Sequence, residues 1–232
     1  MQKQFCAVSG NDSVAISAET RTFAFMKRSL LTLILGSACL SMAFGQSMDS
    51  LFVSAPASVV PLVRTNARLD LLDYFRSGME ARVQNDLDGK TTLKALTKDF
   101  LALQLSDAVM LEIKRLPFHG DSILAVVRNV KAGNRSGRIS FYTTHWRPKR
   151  IDLPSVRMAQ FLHIDTLSAI AQERLLRLST GMTYTYQWEE HRNTLTLRPS
   201  IEGMTRTEQT AIRPYLLPLV WHWKDGGDFE TK

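Results

Sequence analysis

Residues 100–146 read FLALQLSDAVMLEIKRLPFHGDSILAVVRNVKAGNRSGRISFYTTHW, and the pattern within them decides the fold. Val109, Leu111 and Ile113 alternate with Ala108, Met110, Glu112 and Lys114, the period of two of a strand with one buried and one wetter face. Residues 123–130 are apolar at nearly every position, which predicts a central strand covered on both sides. Ile139 and Phe141 point one way, and Arg138, Ser140 and Tyr142 the other. The turn formers at 118–121 (Phe-His-Gly-Asp) and 133–137 (Gly-Asn-Arg-Ser-Gly) separate these runs. With residues 91–96 as a further strand, the stretch reads as an antiparallel meander of about four to five strands.

Upstream, residues 54–61 open a region expected to be helical. The apolar positions Val60, Val63, Leu69, Leu72, Phe75 and Met79 follow close to a helix period, and Gly78 marks the end. Pro56 and Pro61 suit first turns and interrupt interiors. Residues 85–89 (Asn-Asp-Leu-Asp-Gly) read as a plain turn, because a calcium loop needs further oxygens and a closing Glu that are missing.

Further upstream the chain changes character. Met26, Lys27 and Arg28 give a positive start, residues 30–40 an apolar run, and Ala43, Phe44 and Gly45 an ending with small residues where a signal peptidase reads. The run is shorter than the about 20 residues a membrane-spanning helix needs. The expectation is a signal peptide over residues 26–45, cleaved after Gly45, with residues 1–25 an over-called or non-native extension. Cys39 after Gly36-Ser37-Ala38 offers a competing lipidation site. The Gly in place of Leu, and the apolar stretch continuing to Phe44, argue against it.

Residues 46–232 then form a single domain. Both cysteines, Cys6 and Cys39, fall upstream, so the mature chain is expected to hold no disulfide and no cysteine chemistry. The formal net charge of +7 is spread over both parts, and the mildly basic balance of the mature part says little about partners. An exported chain argues against nucleic acid.

Downstream of the meander, Asp152 or Ser155 caps a helical stretch over residues 156–178, expected as two helices broken near His163. Tyr184, Tyr186 and Trp188 alternate with Thr183, Thr185 and Gln187 and return through residues 194–198 as a hairpin. A short helix over residues 205–213, capped by Thr205 or Thr207, precedes a strand at 216–223 in which Leu219, Trp221 and Trp223 share a face. The order predicts an α+β fold, mainly antiparallel sheet with helices packed on it.

Several strings carry a resemblance. They are Pro61-Leu62 with Asn66-Ala67-Arg68-Leu69-Asp70-Leu71-Leu72-Asp73-Tyr74, Leu101-Ala102-Leu103 before Asp121-Ser122-Ile123, Ser140-Phe141-Tyr142 with Trp146, and the closing Trp221-His222-Trp223 with Gly227-Asp228-Phe229. Together they resemble an uncharacterised family of secreted Bacteroidales proteins, a domain of unknown function, over nearly all of residues 48–230. The resemblance implies export and a single domain and transfers no site residue. The basic Arg147-Pro148-Lys149-Arg150 departs from it.

Three groups of side chains bear on chemistry. Tyr184, Tyr186, Trp188, Trp221 and Trp223 would form one stripe if their strands were neighbours, a platform if exposed and core if buried. Core is favoured, since the opposite faces of these strands are polar. Arg128, Lys131, Arg135, Arg138, Arg147, Lys149 and Arg150 lie in a stretch without acidic residues, a candidate surface for lipid phosphates or an acidic glycan. A solvated basic edge is the plainer reading. The five histidines, His119, His145, His163, His191 and His222, show no metal spacing and no triad string. No glycine-rich phosphate loop appears, and neither cofactor nor metal is expected. Paired carboxylates for glycoside chemistry would meet only in the fold. The sequence therefore points to an exported domain binding an envelope component, an acidic glycan or a protein partner. A small hydrolase acting on glycan or peptide is the alternative.

Overall fold

A computed structural model describes residues 46–132 and 134–231. The expected leader with Cys39, and the segment before it with Cys6, lie outside the described residues.

Helix α1 (Met48–Ser54) is capped by Ser47, whose hydroxyl accepts the Ser50 N–H, and buries Met48, Leu51 and Phe52. Helix α2 (Thr65–Arg76) buries Leu71 and Leu72. The helical region expected to open at Ser54 does not form there. Pro56 and Pro61 keep residues 55–64 in turns, with Leu62 at φ 67°; Ser54 instead ends α1, and the expected helix starts only at Thr65, as α2. The chain leaves α2 through Gly78 at φ 68°, a left-handed turn that favours glycine.

Arg68 on α2 organises this end. It is 4% exposed. Its Nε donates to the Val63 carbonyl (2.9 Å) and its Nη2 to that of Val60 (2.9 Å). Nη1 reaches the carbonyls of Phe52 (3.2 Å), Val53 (3.3 Å) and Ala55. Phe52 and Val53 belong to the last turn of α1, where carbonyls lack the regular i+4 partner and a cation is favoured, although the Phe52 carbonyl also accepts the Ala55 N–H (3.4 Å).

Seven strands follow, each hydrogen-bonded antiparallel to the next in chain order. They are β1 (Arg82–Gln84), β2 (Lys90–Leu96), β3 (Phe100–Ser106), β4 (Val109–Phe118), β5 (Asp121–Ala132), β6 (Asn134–Thr143) and β7 (Pro148–Lys149). The sheet is larger than expected because β1 and β7, three and two residues long, are too short to show a period.

The remaining chain builds a second antiparallel sheet from β8 (Thr183–Trp188), β9 (Thr194–Ser200), β10 (Leu219–Trp223) and β11 (Phe229–Thr231), in the order β11-β10-β9-β8. Helix α3 (Ala169–Ser179) precedes β8, and α4 (Arg206–Ile212) lies between β9 and β10. α4 starts at a capping box in which the Thr205 hydroxyl accepts the Glu208 N–H and the Glu208 carboxylate accepts the Thr205 N–H. The expected helix over 156–178 shrinks to one 3-10 turn (Met158–Phe161) and α3. Between them Leu162 bridges Leu216, and the His163 N–H donates to the Tyr215 carbonyl, which holds the chain extended.

The large sheet is covered on both faces. Leu93, Leu101, Leu103, Leu105, Leu111, Ile113, Leu124 and Val126 pack with α1 and α2. Phe100, Ala102, Leu116, Ile123, Ala125, Val127 and Phe141 pack with Tyr186, Trp188, Leu195, Leu197, Trp221 and Trp223 of the small sheet. The face of β4 expected to be wetter is therefore dry, with Glu112 7% and Lys114 2% exposed.

Candidate functional site

Among the described residues only β9 pairs with β8, which makes β8 an edge strand there. Side chains of the large sheet take its outward peptide groups. Asn129 on β5 donates from Nδ2 to the Tyr186 carbonyl (2.6 Å) and accepts the Tyr186 N–H at Oδ1 (3.1 Å). The carboxamide thus imitates a neighbouring strand and blunts the edge. Gly137 on β6 makes the approach feasible. A Cβ there would stand 2.6 Å from Asn129 Oδ1 and 2.9 Å from the Tyr186 nitrogen. Two residues along β8, the Trp188 N–H donates to Glu112 Oε2 (2.8 Å). At another point of the junction, Trp223 Nε1 donates to the Pro117 carbonyl (2.7 Å).

Beside the Glu112 contact a cleft of about 520 Å³ opens between β3, β4 and the β8–β9 hairpin. Phe100, Ala102 and Trp188 give it an apolar lining with Glu112, while Gln187, Arg198 and the turn residues 189–192 supply polar groups. Arg198 Nε donates to Gln187 Oε1 (2.8 Å), and Arg192 stands 3.9 Å from Glu189. Lys114 reaches toward the same turn. Its Nζ donates to the Glu190 carbonyl (2.8 Å) and lies 5.8 Å from the Phe100 ring centroid.

Burial sets the electrostatics. It pushes the Glu112 carboxyl up to about 7, against the Trp188 N–H, which favours the ionised form. Burial likewise pulls the Lys114 ammonium below its usual range, opposed by Asp99, Glu190 and Glu189. A carboxyl that gains or loses its proton near neutrality inside a cleft is the kind of group functional sites use.

The expected site residues are distributed differently from one another. Tyr186, Trp188, Trp221 and Trp223 are buried and Tyr184 is half-buried. The neighbour condition for one aromatic stripe fails, because β9 with Leu195 and Leu197 lies between the two rows. Phe229 of β11 joins them instead, with ring centroids 6.2 Å from Trp188, 5.4 Å from Trp221 and 5.1 Å from Trp223.

Strand pairing splits the basic cluster between two faces. Arg128 stands opposite Arg138 on the helix side, and Lys131 opposite Arg135 on the small-sheet side. Arg135 pairs with Glu202 (2.8 Å), and Arg150 with Asp152 (3.6 Å). Lys149 lies 4.8 Å over the Phe118 ring, and Arg147 is exposed at the turn before β7. Of the histidines, His191 lines the cleft, and His222 stands 3.3 Å from the Thr194 hydroxyl. Among the described residues no group of three or more His, Cys, Asp or Glu could hold a metal, and no helix is long and apolar enough to cross a membrane.

The family described as "Protein of unknown function (DUF3256)" matches residues 40–229. This chain belongs to that family. The DUF3256 match runs from before α1 to the first residue of β11, so it takes in both sheets and the cleft between them. A solved structure of a domain of an uncharacterized protein from Porphyromonas gingivalis W83 is similar. It is 27% identical, with a TM-score of 0.66, and the likeness covers 80% of this chain and 97% of that one. No curated protein matches the chain. Porphyromonas is of the Bacteroidales, so the DUF3256 assignment and this structure agree with the uncharacterised family that the sequence resembles.

Proposed function

We propose that this chain is an exported DUF3256 domain that binds an envelope component, and that the ligand-facing region is the cleft beside Glu112. The observation that carries the reading is the cleft's construction. Apolar walls from Phe100 and Trp188 lie beside polar groups from Gln187, His191, Arg192 and Arg198, the mix of shape and orienting contacts that recognition sites use. Glu112 accepts the Trp188 N–H at the sheet junction, so its role is to hold the cleft's wall. Export draws its support from the leader-like residues 26–45.

The test is capture from native envelope with the purified protein, followed by mass spectrometry. Wild type is expected to recover a defined component that an Arg198→Glu variant loses. Equal recovery by both would remove the cleft from the reading.

A hydrolase acting on glycan or peptide is the second reading. What favours it is that Glu112, near-neutral in pKa, shares the cleft with Glu189, Glu190 and His191. Turnover on a glycan and peptide panel, lost in Glu112→Gln, would replace the binding reading with this one.

A further inference from the structure

We propose that Arg128 and Arg138 form a second site, on the opposite face of the large sheet from the Glu112 cleft, that binds a tetrahedral oxyanion such as a phosphate or sulfate group. The two arginines are directly opposed across β5 and β6. Like charges so placed repel. Neither guanidinium has an ion-pair partner among the described carboxylates. Both line a cleft of about 210 Å³ together with Ser58, Val59, Ser140 and Tyr142.

The site is preorganised on one side. Arg128 Nη2 donates to the carbonyls of Ser58 (3.2 Å) and Val59 (3.0 Å) in the loop between α1 and α2, which holds the guanidinium in place. Its Nε is buried and has no hydrogen-bond partner. A buried donor left unpaired on a charged group costs free energy, and an oxyanion placed between the two arginines would accept from it. Arginine's planar fork matches the oxygens of phosphate and sulfate, and a tetrahedral ion has enough acceptors to face both guanidiniums. Ser140 and Tyr142, on the same strand as Arg138, also line the cleft, and both side chains carry a hydroxyl that can donate.

The experiment uses the full chain and follows its unfolding midpoint and binding heat. Sodium phosphate and sodium sulfate are added against sodium chloride at matched ionic strength, since screening alone would act in all three. Glucuronate serves as a carboxylate arm. Phosphatidylglycerol vesicles, against phosphatidylcholine vesicles, show whether the group is met free or on a lipid. The expected result is a saturable stabilisation by phosphate and sulfate that weakens at least tenfold in Arg138→Gln. Arg138 is exposed, so that variant is expected to fold, and its midpoint in chloride should not fall below wild type. Arg138→Glu should fold too and lose the phosphate response entirely, because its own carboxylate neutralises Arg128. A linear response shared by chloride would overturn the proposal, as would a phosphate, glucuronate or vesicle response of equal strength in Arg138→Gln. Binding to phosphatidylglycerol that phosphate competes away would support the proposal and assign the anion to a lipid.

Discussion

The two faces of the large sheet solve the same problem with different chemistry. On the helix side, carbonyls from the end of α1 and the loop after it would be stranded away from water. One permanent cation, Arg68, takes five of them. Burial lowers its pKa, yet a guanidinium starts so high that it stays charged at any ordinary pH. On the small-sheet side, the exposed peptide groups belong to an edge strand, β8. They are met by a neutral carboxamide, Asn129, and by the titratable carboxyl of Glu112. The helix side is held by a charge that ordinary pH does not change. The small-sheet side is pH-sensitive, and the cleft opens there.

The largest effect that would break this contrast comes from Arg68→Met. Five carbonyls would lose the guanidinium, although the Ala55 N–H would remain to that of Phe52, and the expected loss is about 3–5 kcal/mol in denaturant unfolding. Arg68→Lys should recover little, since one ammonium cannot reproduce the fork. A loss below about 1 kcal/mol would mean that water reaches those carbonyls.

Next in size is Glu112→Gln, read as a function of pH. The folded carboxyl has its pKa raised to about 7, above the ordinary 4.5, so the folded state holds the proton more tightly. Its contribution is complete below the unfolded pKa and is lost as pH rises to the folded one. Wild type should therefore lose up to about 3 kcal/mol relative to the glutamine variant between pH 4.5 and 7, then run parallel to it. Glutamine keeps a carbonyl oxygen for the Trp188 N–H, so the two should nearly coincide at the acid end. A stability difference independent of pH would show that Glu112 titrates normally.

Gly137→Ala sharpens the steric side of the comparison. The added methyl must displace Asn129 or part β6 from β8, at about 1–3 kcal/mol. Chemical shifts should change at Tyr186 and not at Arg68. The smallest effect is expected at the capping box of α4, away from both junctions. Thr205→Ala should cost about 1 kcal/mol and leave the pH profile unchanged.

Much of this architecture is legible locally. The alternation in residues 109–142, the tyrosine row of β8 and the Thr205–Glu208 box carry their own signals, and the structure has strands and a helix there. Short elements carry none. β1, β7 and β11 hold too few residues to display a period, and β11 brings in Phe229, where three tryptophan rings meet. The cleft was hidden for a further reason. Glu112 and Trp188 are 76 positions apart, and Asn129 and Tyr186 are 57 apart, so nothing beside Glu112 announces its partner. One clue was present. β5 reads as covered on both faces, and its neighbour β4 must then be covered too, which turns Glu112 and Lys114 from surface residues into buried ones. Arg68 gives no such clue, because an arginine on an amphipathic helix is ordinarily solvated.

The most direct measurement is a carbon NMR titration of the Glu112 side-chain carboxyl in protein labelled at glutamate, assigned with Glu112→Gln. A buried carboxyl that holds the edge of β8 should titrate with a midpoint near 7. A midpoint at the ordinary 4.5 would place Glu112 in water and contradict the account of how the two sheets are joined.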